Sequence, residues 1–138
     1  MKILLDTNVV LDILLNREKF VASAKEIFLL IENHKVEGFV CATSVTTIHY
    51  LLGRETTKKN ADDVILKLLK LFEVALVDKD VLLEASLNNG VDYEDSVIYS
   101  SAQEAGIDII ITRDKRGFKN SKVSVLSPRE FLGFWKSL

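Results

Sequence analysis

The sequence predicts an α/β fold: a mainly parallel sheet covered by helices on both faces. Three observations carry this. Short β-branched runs alternate with longer segments of helical period along the whole chain. The short runs are almost wholly apolar, as strands buried on both faces must be. The 138 residues, 48% of them hydrophobic and one a proline, suffice for one domain, residues 1–138, with a sizeable core.

Taken in order, residues 2–5 (KILL) are an apolar run too short for a helix, hence the first strand. Residues 9–15 read as a short helix. Residues 20–33 place Phe20, Ala24, Ile27, Phe28 and Ile31 on one helical face. The dense run from Ile27 to Ile31 leaves little polar face, which predicts burial on two sides. Residues 37–42 (EGFVCA) read as the second strand. Residues 43–52 read as a helix opening with a Thr/Ser cap. Residues 61–72 repeat Val64, Ile65, Leu68, Leu69 and Phe72 at helical spacing. Residues 73–77 are the third strand and 79–88 the next helix. Residues 92–105 are a helix stopped by Gly106. Residues 107–112 (IDIIIT) are a buried strand and 122–126 a fifth. Ser127-Pro128-Arg129-Glu130 carries a cap, a proline at the first helical position and the acid that closes a capping box. The helix that follows aligns Phe131, Trp135 and Leu138 on one side.

Composition excludes several classes. One cysteine permits no disulfide framework and no Cys-based zinc site, and fits a reducing compartment. The longest apolar runs fall far short of the ~20 residues of a membrane span. Asp6 comes too early for a signal peptide, so the expected location is the cytoplasm. The net charge of −2 is not that of a general nucleic-acid coat, yet residues 113–122 hold five basic side chains and one acid. A local basic patch of this kind steers a polyanion even on an acidic protein. There is no phosphate-cradling glycine loop.

In parallel sheets, sites form at the carboxyl ends of strands. Asp6 directly follows the first strand, and Asp114 follows residues 107–112 after Arg113. Asp92 and Asp95 open a helix three residues apart, on one face of its first turn. Carboxylates brought together repel unless a cation neutralises them. Hard oxygen donors without a His or Cys cluster suit Mg²⁺ or Mn²⁺. Such an ion activates water and stabilises a phosphodiester transition state. Asp6, Asp92, Asp95 and Asp114 are thus the candidate metal-holding acids. Arg113, Lys115 and Arg116 are candidates for flanking phosphates, and Asn8 is a candidate substrate contact. Each acid also has a plainer reading. Asp6 and Asp92 suit helix caps, Asp95 suits the positive end of a helix dipole, and Asp114 suits a surface pair with Arg113 or Lys115.

These motifs resemble one family. Asp6-Thr7-Asn8-Val9-Val10-Leu11-Asp12 resembles the opening motif of PIN-domain nucleases, and Asp92-Tyr93-Glu94-Asp95-Ser96 with Ser101-Ala102 resembles their central helix. Ile109-Ile110-Ile111-Thr112-Arg113-Asp114 with Gly117-Phe118 is similar to their strand and loop. Residues 123–131 are similar to their closing segment. The resemblance implies a Rossmann-like α/β/α sandwich, metal-dependent RNA hydrolysis, and often a toxin paired with an antitoxin. By position, Asp6, Asp95 and Asp114 match the family's metal-binding acids, and Asp92 an acid found in some subgroups. One departure stands out. Many members carry an acid in the helix that here spans 43–52, and Thr47 or His49 stands in that place. A neutral His49 facing the same strand edge as Asp6 is expected to donate nitrogen to the metal, favouring Mn²⁺, or to act as general base.

Two other readings compete with a ribonuclease. A weakened PIN-type fold retained for binding RNA or protein draws support from the missing acid near His49. A phosphohydrolase of the haloacid dehalogenase type needs an acid two residues after Asp6, where the chain has Asn8. Helices 20–33 and 61–72 are too apolar for full solvation, which predicts a homodimer. Cys41 is expected in the core, His34 in solvent after a helix, and Lys58, Lys59, Lys67 and Lys70 on solvated helix faces.

Overall fold

The computed structural model describes residues 1–88 and 92–138. It is an α/β/α sandwich on a five-stranded, fully parallel sheet of order β3-β2-β1-β4-β5. The elements are β1 (Lys2–Leu5), α1 (Thr7–Leu14), α2 (Val21–Glu32), β2 (Glu37–Cys41), α3 (Ala42–Glu55) and α4 (Lys58–Leu71). They continue with β3 (Glu73–Ala75), α5 (Lys79–Leu87), α6 (Tyr93–Glu104), β4 (Ile109–Ile111), β5 (Ser124–Leu126) and α7 (Pro128–Lys136). A 3₁₀ turn, Lys115–Phe118, joins β4 to β5.

The strands alternate their side chains between two cores, which is why they read as continuous apolar runs. Ile3, Leu5, Val40, Ile109 and Ile111 face one layer, where α1, α2, α3, α4 and α7 bury Val10, Ile27, Ile48, Leu68 and Phe131. Leu4, Phe39, Cys41, Ala75 and Ile110 face the other layer, where α6 buries Ile98 and Ala102. Cys41 is wholly buried, as expected. Ser127 and Glu130 form the predicted capping box under Pro128. Gly106 stops α6 with φ of +70°, a conformation that costs a residue without Cβ little.

Several local expectations give way to packing. The Thr/Ser cap expected on the 43–52 helix is not used: β2 runs straight into α3, Cys41 takes the cap position, and no side chain caps it. Helix α4 starts a turn earlier than its apolar period, because the Thr57 hydroxyl accepts from the Asn60 amide. Helix α2 is not buried on two sides, since Leu29 is 55% exposed. Helix α7 ends before Leu138, which lies in solvent. Among the described residues, no helix is long and apolar enough to cross a membrane.

Candidate active site

The chain builds the sheet outward from β1 in both directions, with β2 and β3 on one side and β4 and β5 on the other. The carboxyl ends of β1 and β4 therefore flank the point where strand order reverses, and a crevice forms there in open α/β sheets. Asp6 sits at the first end and Thr112-Arg113-Asp114 at the second. The Asp6 amide donates to the Ile111 carbonyl at 2.9 Å, locking the two ends together.

Asp6 is 8% exposed. Its Oδ1 accepts from the Thr7 amide and its Oδ2 from the Thr112 hydroxyl, both at 2.8 Å. Burial raises its pKa; the two hydrogen bonds oppose this, the Asp114 charge adds to it and Arg113 relieves it. Asp6 thus also caps α1, so the plain and the functional readings describe one residue.

Helix α6 brings a second set of acids. Asp92 is its cap, its Oδ1 accepting from the Asp95 amide at 3.1 Å. Asp95 is half-buried, and its pKa is pushed up to about 6, first by burial and then by the charges of Asp6, Asp92, Glu94 and Asp114. Glu94 is shifted up as well, by burial, Asp92 and Asp6. Charges at the end of β1, on α6 and in the loop after β4 therefore all act on Asp95.

Asp114 is held by its own loop. The Arg116 guanidinium grips it at 2.9 and 2.7 Å, and its carboxyl is driven down to about 2. Arg113 turns the other way: its Nε donates to Asp12 Oδ2 at 2.8 Å, and its guanidinium carbon lies 3.9 Å from the Phe20 ring centre. Lys115 pairs with Glu130 at 2.7 Å. Asn8 is exposed near the start of α1 and makes no side-chain hydrogen bond among the described residues.

Thr47 and His49 do not complete this edge. The Thr47 hydroxyl donates back to the Thr43 carbonyl at 3.3 Å. His49 points to α4, where its Nε2 lies 2.6 Å from Asp62 Oδ1. From α3 it is Ser44, wholly buried, that reaches the end of β1, accepting from the Thr7 hydroxyl at 2.8 Å. Sequence reasoning passed over four further residues of the site. Thr112 orients Asp6, Glu94 adds charge, and Asp12, wholly buried, holds Arg113 and Arg17. Gly117 leaves space for Asp95: a Cβ there would sit 2.1 Å from Asp95 Oδ2. Asp12 and Thr112 were visible as polar residues inside apolar runs, an arrangement that demands a partner.

The family model of the PIN domain matches residues 2–116. The chain belongs to the PIN-domain family. Ribonuclease VapC1 of Aquifex aeolicus (strain VF5) is 30% identical to it over 142 residues, spanning 99% of this chain and 97% of that protein. Among solved structures, DNA-bound VapBC from Salmonella typhimurium superposes with a TM-score of 0.72 at 16% identity, covering 93% of this chain and 98% of that one. A toxin–antitoxin complex from Klebsiella pneumoniae gives 0.68 at 16% identity, with 91% and 96% covered. The parallel sheet with helices on both faces is thus the PIN fold.

The donors at this PIN-domain edge are all hard oxygens, the chemistry of Mg²⁺ and Mn²⁺ rather than of zinc. Burial and then the neighbouring charges lift Asp95, and a divalent cation relieves the second of these. As the side chains stand, with Asp114 on Arg116, no group of three His, Cys, Asp or Glu among the described residues closes on an ion. The residue types fit a cation.

Proposed function

We propose that this PIN-domain chain is an endoribonuclease dependent on Mg²⁺ or Mn²⁺, and the toxin half of a toxin–antitoxin pair. The observation that supports this most is the packing at the strand-order reversal, where Thr112 donates to Asp6 and the turn that follows Asp114 lies, through Gly117, against Asp95. The ribonuclease name of the relative that matches 99% of the chain points the same way. An antitoxin partner is supported by the likeness to the toxin–antitoxin complex.

In this reading Asp6, Asp95 and Asp114 hold the cation, with Asp92 in reach. The bound ion supplies a water activated near neutral pH and a counter-charge for the phosphodiester transition state. The chain's own residues set the stage for it. Thr7 and Thr112 fix the Asp6 carboxylate, and Gly117 admits the Asp95 carboxylate. Asn8, Lys115 and Arg116 remain the groups that contact the strand, once Arg116 exchanges Asp114 for a phosphate. A homodimer is part of the proposal, with Leu66 and Leu69 of α4 exposed at 62% and 43% to build it.

The test is cleavage of RNA in Mg²⁺ or Mn²⁺ together with thermal melting. A metal bound only by the folded state stabilises by RT ln(1 + [L]/Kd), about 2.7 kcal/mol at a hundredfold excess over Kd. Wild type should cleave and melt higher in Mn²⁺, and Asp6→Asn and Asp114→Asn should do neither. RNA binding without cleavage in either metal would leave only the weakened, binding-module reading.

A further inference from the structure

A second feature opens on the same edge of the sheet. Lys19, Phe20, Ser23, Arg113, Ser127, Pro128 and Arg129 enclose a cavity of about 360 Å³, within the size range of small-ligand pockets. It lies between the start of α2, the end of β4 and the start of α7. Three of its seven lining residues are cations and none is an acid. Its floor is aromatic: the Phe20 ring has the Arg113 guanidinium at 3.9 Å and the Lys19 ammonium at 5.5 Å. Asp12 pairs with Arg113 and also with Arg17, and among the described residues neither Lys19 nor Arg129 makes a salt bridge.

Arg113 belongs to both places. It follows Thr112, whose hydroxyl donates to Asp6, so the cavity adjoins the acidic site. The Asp12 bond and the Phe20 ring hold its side chain rigid between them. Cations around an aromatic ring, beside a cluster of acids that rejects phosphate unless metal is bound, are the features of a single-strand nucleic-acid track.

We propose that this cavity seats a nucleotide of the RNA strand next to the one cut, with Lys19 and Arg129 on its phosphate and Phe20 and Pro128 against its sugar and base. The assignment rests on the ribonuclease reading for the identity of the strand. Arg113 is its positioning residue: it shapes the wall and is not free to follow the phosphate.

The experiment is RNA binding without cleavage. A labelled single-stranded RNA of about twelve nucleotides, the site size of small single-strand binders, is titrated against Asp6→Asn protein at several salt concentrations. Adding Lys19→Ala and Arg129→Ala should weaken binding about tenfold and flatten the log Kd against log salt slope by about 1, as loss of one or two phosphate contacts does. Both residues are exposed, so the fold tolerates the change. Lys59→Ala with Lys67→Ala removes the same charge elsewhere and should shift neither quantity comparably. Equal effects of the two pairs, an unchanged slope, or no RNA binding by the parent protein would each overturn the proposal. If wild type cleaves no RNA while binding still depends on Lys19 and Arg129, the cavity stands and the ribonuclease reading falls. If wild type cleaves and the pair is silent, the reverse holds. A cavity kept for an acidic segment of a partner protein would also leave RNA binding silent.

Discussion

Gly117 packs directly against Asp95. A Cβ at position 117 would lie 2.1 Å from Asp95 Oδ2 and 2.7 Å from its Cγ. The glycine sits in the 3₁₀ turn that follows Asp114, so the loop carrying one acid is shaped to admit another. Gly117→Ala meets the Oδ2, Cγ and Cβ atoms of Asp95 together, so the whole short side chain must swing aside. RNA cleavage should drop by about a hundredfold, the usual cost of an ångström's misplacement, in protein that circular dichroism shows to be folded. Wild-type cleavage rates in this variant would show that Asp95 need not stand where Gly117 lets it.

Asp95 also sets a pH dependence. Its folded pKa of about 6 lies above the ordinary carboxylate value, so between about 4 and 6 the folded state binds more protons than the unfolded one. Stability without metal therefore falls as pH rises through that window, and the full penalty is present above it. Asp95→Asn removes the penalty. Denaturant unfolding in a chelator should find the variant more stable by about 1–2 kcal/mol at pH 7.5, after allowance for solvent screening, and no more stable at pH 4. A variant less stable at pH 7.5 would contradict a strained acidic cluster.

Asp12 is wholly buried and answers two arginines, Arg113 at 2.8 Å and Arg17 at 3.3 Å. Truncating it leaves both cations unpaired, and both retain enough exposure to turn to water in part. Asp12→Ala should cost about 2–3 kcal/mol in urea unfolding, below the range for a fully buried partner. It should also loosen Arg113 from Phe20, which nuclear magnetic resonance reads as averaging of the Arg113 Nε–H signal. Stability equal to wild type would mean that the pair is not formed in solution.

His49 is bonded to Asp62, on the α3–α4 pair, and not to the acidic edge. The exchange of His49 for Ala should therefore leave the Mg²⁺ to Mn²⁺ activity ratio unaltered. It should leave the melting temperature close to that of wild type, since both partners of this contact are exposed. A changed metal preference would return His49 to the site and show that α3 turns in solution.

The strands and caps were legible because their causes are local. Residues 107–112 announce β4 through isoleucines that only a two-sided core accepts, and Ser127 to Glu130 announce α7 within four residues. The acids at strand ends were legible for a related reason: alternation implies a parallel sheet, and a parallel sheet has one carboxyl edge. Helix limits were less so. Thr57 extends α4 by a turn past its apolar pattern, and Cys41, the last residue of β2, opens α3 with no side-chain cap.

By itself, then, the sequence determined the succession of strands and helices along the chain, most of their apolar faces, and the strand-end and helix-start positions of Asp6, Asp95 and Asp114. Those follow from chain geometry over a few residues and from the need to bury apolar area. Only the tertiary structure decided which side chain meets which. Arg113 finds Asp12 across 101 residues. His49 finds Asp62, and Ser44 takes the place beside Thr7. Such choices depend on rotamers, and a rotamer is selected by whichever buried charge or hydroxyl the packed elements place within reach.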